Sequence, residues 1–129
     1  MRFLLDTHVF LWFITDDVRL TEAMRSLLAD PRHELFLSAA SAWEIAIKAS
    51  LGRLQLEDDL ERFIPRQLAQ NGIAPLPVAV SHALHVHRLP PLHRDPFDRL
   101  LVAQSILEKM PLISSDQNLS RYPVEIVWS

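Results

Sequence analysis

Along the chain, short and mostly apolar runs alternate with longer stretches whose apolar residues recur at helical spacing. The runs at 3–5 (FLL), 34–38 (ELFLS), 73–76 (IAPL), 112–113 (LI) and 124–128 (VEIVW) are too short for helices, which predicts strands, the first two buried on both faces. Between them the pattern predicts helices over 9–14 (VFLWFI), 22–29 behind a Thr21 cap, 41–50, 56–71, 81–88 and 96–109. Asp95 as N-cap with Pro96 at the first helical position makes the 96–109 helix the clearest. In 56–71, Leu60, Phe63, Ile64 and Leu68 keep helical spacing, but Pro65 falls inside the pattern and predicts a kink or break. Strands alternating with helices predict an α/β fold: a doubly wound, mostly parallel central sheet of four to five strands with helices on both faces. No internal repeat, low-complexity tract or linker divides residues 1–129, so one domain is expected.

Composition narrows the class. A chain of 129 residues, 49% hydrophobic and 22% charged, has the make-up of a soluble globular domain with a core of its own. With no cysteine, disulfides and thiolate metal sites are excluded. There is no signal-peptide pattern, and no apolar run approaches the about 20 residues that span a bilayer. A cytoplasmic protein without a membrane partner is expected. The net charge of −3 argues against a nucleic-acid partner, until four acids considered next are set aside. Twelve of the sixteen acidic residues then face thirteen basic ones, and eleven of those are Arg, which grips phosphate bidentately.

Those four acids are Asp6, Glu44, Asp98 and Asp116. Each has an ordinary structural explanation. Asp6 ends an apolar run and suits a turn or helix cap; Asp116, in SSDQN after a strand, suits an Asx turn. Glu44 stands three residues after Ser41, the spacing of a capping box. Asp98 stands three after Asp95, where the helix dipole favours an acid. Together they carry more. Parallel strands place their carboxyl ends on one edge of a sheet, and the helix N-termini that follow point toward the crevice there. One topology thus gathers four carboxylates, whose mutual repulsion is relieved by raised pKa values or a bound cation. Oxygen-only ligands select Mg²⁺, with Mn²⁺ as a substitute, over zinc.

The segments LLDTH, SAWEIAIK, DPFDRLLVAQ and LISSDQNL resemble the four acidic motifs of the PIN-domain ribonucleases. In order, spacing and flanking residues the chain is most similar to the VapC-type toxins of bacterial toxin–antitoxin pairs, from Met1 to Trp128. The resemblance implies a PIN-like fold and maps the family's acids onto Asp6, Glu44, Asp98 and Asp116, leaving Asp95 as a cap. Two departures leave second-shell roles open: His8 where many relatives carry Ser or Asn, and Ser114-Ser115-Asp116 where the fourth motif often reads T-N-D.

The implied activity is Mg²⁺-dependent endoribonucleolytic hydrolysis of RNA phosphodiesters. By resemblance Asp6 and Asp98 are the principal metal ligands, and Asp116 binds directly or through water. Glu44 orients or deprotonates the attacking water, with a ligand role as the alternative. Arg88, His93, Arg94 and Arg99, beside His85 and His87, read either as a solvated surface or as a phosphate-contacting rim, with Arg94 and Arg99 as substrate contacts. The spacing of His82, His85 and His87 does not put all three on one helical face, which disfavours a histidine metal site. Trp12, Trp43 and Trp128 read as core or interface. The 9–14 helix is more apolar than a small core accommodates, which predicts an exposed patch and a protein interface. The resemblance implies a homodimer and silencing by a cognate VapB-like antitoxin. Two other readings stand beside this one. One is another metal-dependent phosphohydrolase, such as a phosphatase with a strand-end Asp nucleophile, which usually places a second Asp where this chain has His8. The other is a catalytically inactive PIN-like binding module whose acids only cap helices.

Overall fold

The computed structural model describes residues 1–56 and 59–129 and places five strands in one parallel sheet. They are β1 (Arg2–Leu5), β2 (Glu34–Ser38), β3 (Ile73–Leu76), β4 (Leu112–Ile113) and β5 (Ile126–Val127), in the order β3-β2-β1-β4-β5. Six α-helices connect and cover them: α1 (Thr7–Ile14), α2 (Glu22–Ala29), α3 (Ala39–Ser50), α4 (Leu60–Gln70), α5 (Val80–His85) and α6 (Pro96–Glu108). Two 3-10 turns, Val86–Arg88 and Gln117–Arg121, follow α5 and β4. The α/β fold expected from the alternating pattern is the one observed, with every strand pair parallel.

The side-chain period of two along a strand explains the layers. Phe3 and Leu5 point into one core with Leu35, Leu37, Ile73 and Ile113, which α1, α2, α3 and α4 close with Phe10, Met24, Ile45 and Phe63. Leu4 points the other way, into a second core with Leu76, Leu112 and the α6 residues Leu101, Val102 and Ala103. Both faces of β1 are therefore dry, as its unbroken apolar run requires. Leu4, paired in register with Phe36 and Leu112, is completely buried, and each such side chain contributes about 1.5–3 kcal/mol by leaving water.

Boundaries moved where caps decide them. α1 starts at Thr7, because Asp6 accepts from the His8 backbone N–H, and α3 starts at Ala39, because Ser38 Oγ accepts from the Ala40 N–H at 3.0 Å. Ser41 is therefore inside α3, its hydroxyl taking a hydrogen bond from Thr7 Oγ1 at 2.8 Å, and the expected Ser41–Glu44 capping box does not form. α4 begins at Leu60; Glu57 and Asp58, within the helix expected from residue 56, lie outside the described residues. It then runs through Pro65 without a break, because Pro65 is on the exposed face while Phe63 and Ile64 hold the core. Nor does α1 leave an apolar patch: Val9, Phe10 and Leu11 are buried, and Trp12, Phe13 and Ile14 pack against the first core. Among the described residues no helix is long and apolar enough to cross a membrane.

Candidate active site

The carboxyl ends of β1 and β4, the second turn of α3 and the first turn of α6 each deliver one acid to a shared polar pocket. Asp6 follows β1 directly. Its backbone N–H donates to the Ile113 carbonyl at 2.9 Å, and Ser114 Oγ donates to Asp6 Oδ2 at 2.7 Å, so β4 fixes both its main chain and its carboxylate. Glu44 is on the second turn of α3, buried, with Lys48 Nζ 2.8 Å from its Oε2. Asp98 enters on the first turn of α6, where Asp95 Oδ1 accepts from the Phe97 and Asp98 N–H groups at 2.8 and 3.2 Å. Asp116 follows β4 and caps the second 3-10 turn through the Asn118 N–H at 3.0 Å, while Ser114 Oγ accepts from the Asp116 N–H.

The structural explanations and the shared pocket thus coexist for three of the acids. Asp6 caps α1 with Oδ1 while its Oδ2 accepts from Ser114, Asp116 caps the second 3-10 turn with Oδ1 while its Oδ2 faces His93, and Asp98 lies where the α6 dipole favours it. Glu44 has no capping duty at all. Its Oε1 is buried and has no hydrogen-bond partner among the described residues. An anionic oxygen left so costs free energy unless a cation or donor meets it.

The electrostatics show that the acids sense one another. Burial pushes the Asp98 carboxyl up to about 7, and the charges of Asp6, Asp95 and Glu44 add to the rise while His93 opposes it. Asp6 is raised as well, chiefly by burial and in small part by Glu44; the Ser114 hydroxyl and His8 pull the other way. Buried oxygen donors, an orphaned Glu44 oxygen and acids that resist ionising side by side fit a hard divalent cation, which relieves all three strains.

His93, placed by sequence on the rim, is in the pocket. Its Nε2 is 3.3 Å from Asp116 Oδ2 and 3.5 Å from Asp98 Oδ2, and all three ligand-type atoms lie within 4.8 Å of one another. The only sequence signal was its position two residues before the α6 cap. Ser114, whose role was open, is the donor that holds Asp6. His8 is more than half exposed, with Nδ1 4.0 Å from Asp6 Oδ1. Arg94 is exposed and lines a cleft of about 360 Å³ with Glu44, Lys48, Arg53 and Phe97. Arg99 is turned away: its Nη2 donates to the Val86 and Leu89 carbonyls at 3.1 and 3.2 Å, clamping the loop after α5 onto α6. Of the histidines after β3, His82 is buried with its Nε2 2.9 Å from Glu108 Oε2, and His85 and His87 take no part in that contact. Trp12 and Trp128 pack edge to face against the first core, whereas Trp43 is 63% exposed with its ring against Phe97.

Residues 3–125 match the PIN domain family, nearly the whole chain. The chain belongs to the PIN-domain family. Within it, the chain is 32% identical to Ribonuclease VapC22 of Mycobacterium tuberculosis over 132 aligned positions, 97% of either protein. It is 39% identical to Ribonuclease VapC16 of the same organism over 61 residues, 47% of this chain and 43% of that relative, so the second match spans less than half of the relative's length. These matches make it a PIN domain of the VapC type. The fold itself recurs in the structure of VapBC2 from Rickettsia felis bound to a DNA fragment from their promoter, with a TM-score of 0.74, 14% identity and 98% of each chain covered.

Proposed function

We propose that this PIN domain is a Mg²⁺-dependent endoribonuclease and the toxin half of a VapBC-type pair. The observation that carries the reading is the convergence of Asp6, Glu44, Asp98 and Asp116, with a buried Glu44 oxygen that no donor among the described residues meets. Relatives named as ribonucleases support the reaction class, and a fold neighbour solved as VapBC2 supports an antitoxin partner. Asp6, Asp98 and Asp116 are assigned to the cation, Asp116 directly or through water. Bound there, Mg²⁺ or Mn²⁺ supplies charge neutralisation at the scissile phosphate and acidifies an attacking water.

The chain's own residues do the rest. The Ser114 hydroxyl and the His8 N–H each hold one oxygen of Asp6 and fix its rotamer, and each oxygen keeps a further lone pair for the cation. Glu44 Oε2 pairs with Lys48, and Oε1 is left to orient and accept a proton from water. Arg94, at the mouth of the cleft that begins at Glu44, is placed to meet a backbone phosphate of single-stranded RNA. Arg99 lies outside that cleft with one nitrogen spent on the loop carbonyls, so its contribution to substrate is secondary. A homodimer and a cytoplasmic location complete the proposal.

The test is cleavage of a single-stranded RNA pool by purified protein with Mg²⁺ or with a chelator, alongside Asp6→Asn and Asp98→Asn. Wild type cleaves only with the cation; both variants, folded by circular dichroism, lose at least about a hundredfold in rate, the loss of a principal charge-stabilising group. Undiminished cutting by folded Asp6→Asn protein removes the reading.

A further inference from the structure

His93 lies with Asp98 and Asp116 in a triad whose spacing suits a cation, which would make the imidazole a third ligand. The other side of the ring argues against that. The Asp95 backbone N–H donates to His93 Nδ1 at 3.1 Å, so Nδ1 presents its lone pair and the ring proton of the neutral imidazole is on Nε2. A nitrogen that carries a proton has no lone pair for a metal, and metal-bound histidines almost always do the reverse, donating from the nitrogen that faces away. Turning the ring over would bring carbon to both partners and lose the Asp95 hydrogen bond together with the approach to Asp98 and Asp116.

We infer that His93 is a positioning residue rather than a ligand: its Nε2–H is a fixed donor to Asp116 that also faces Asp98 at 3.5 Å, which holds the two carboxylates at the separation that a common cation needs. The inference rests on the metallonuclease reading above and names a residue that the four acidic motifs do not contain. The device begins in the α6 cap. Asp95 accepts from Phe97 and Asp98 with its side chain and donates to His93 with its main chain, so one residue sets the position of Asp98 and the tautomer of its neighbour. Asp116 arrives from β4 on the far side of the pocket, and His93 is the bridge between the two elements.

The experiment uses Mn²⁺ as probe on the full chain, with titration calorimetry for affinity and pulsed electron paramagnetic resonance for the atoms bound to the ion. Wild type, His93→Ala and His93→Gln are compared, glutamine being chosen because its amide N–H₂ reaches about as far as Nε2 and donates. Expected are a loss of Mn²⁺ affinity of roughly ten- to a hundredfold in His93→Ala, the range for partners that orient ligands, and recovery of most of it in His93→Gln. The resonance of wild type shows no directly bound imidazole nitrogen, and a ¹⁵N–¹H long-range spectrum of the metal-loaded diamagnetic Mg²⁺ form shows Nδ1 without a proton. A bound imidazole nitrogen that disappears in both variants overturns the inference, as does His93→Ala protein that binds Mn²⁺ like wild type. If His93→Ala fails to fold, the nitrogen signal of wild type and the affinity of His93→Gln decide in the same way. Wild type that binds no Mn²⁺ brings down the metallonuclease reading itself, and this inference with it; wild-type binding with unchanged variants brings down this inference alone.

Discussion

Asp98 is the side chain through which pH acts on this molecule. Its carboxyl titrates near 3.8 in an unfolded chain and is held at about 7 in the folded one, chiefly by burial and then by Asp6. Between those values the native state keeps a proton that the unfolded state has released, so this group's contribution to stability is intact below about pH 4 and is lost as pH rises to about 7. Asp17 and Asp30 have the opposite sign, their Arg19 and Arg32 partners holding them below the usual range, and act only in more acidic solution. Metal-free protein is therefore expected to lose stability relative to Asp98→Asn between about pH 4 and about pH 7, measured by urea unfolding in chelator. Cation binding displaces the same proton, so Mn²⁺ affinity rises across that range, and calorimetry in buffers of different ionisation enthalpy reads the proton released. The acids themselves could be found in the sequence because each follows a strand or opens a helix. What they do to one another could not, since the burial that chiefly raises Asp98, and the Asp6 and Glu44 charges that add to it, come from residues distant in the chain.

Helices and strands were legible wherever a cap or an apolar run marks them. Thr21, Asp95 and the runs of β1 and β2 set elements within a residue or two of their observed ends. Where sequence misled, two local signals competed. Ser38 and Ser41 both offer a hydroxyl for capping α3, and only the contact of Ser41 with Thr7, 34 residues away, shows which is used. Pro65 signals a break, yet its exposed position on α4 leaves the helix intact at a cost. Pro65→Ala restores the missing N–H and removes the ring clash, and should raise unfolding free energy by about 1–3 kcal/mol in urea, less any gain in unfolded-chain entropy. Arg99 gives the contrasting case. Its charged hydrogen bonds to the Val86 and Leu89 carbonyls tie two elements together, so Arg99→Ala should destabilise by about 2 kcal/mol.

For the whole molecule, the charge that matters is local. Net −3 conceals a cleft where Arg94, Lys48 and Arg53 stand beside Glu44. Binding of a non-cleavable single-stranded RNA to Asp98→Asn protein should weaken with salt, and adding Arg94→Ala should lower the log–log slope by about 0.7, one phosphate contact on a single strand. A slope unchanged by Arg94→Ala moves the RNA to another face. Composition could not have indicated this, because bulk charge averages the pocket with its rim, and the rim exists only when residues 44–53 and 94–97 are brought together.

The position of β1 between β2 and β4 has a consequence for the timing of synthesis. Asp6 leaves the ribosome more than a hundred residues ahead of the atoms that anchor it, the Ile113 carbonyl and the Ser114 hydroxyl. A nascent chain already carrying Asp6, Glu44 and Asp98 still lacks the strand that seats the first of them and the Asp116 that completes the set. On the proposed function such a chain should be inert until β4 is made, and a ribosome-stalled product ending before residue 112 should show no RNA cleavage.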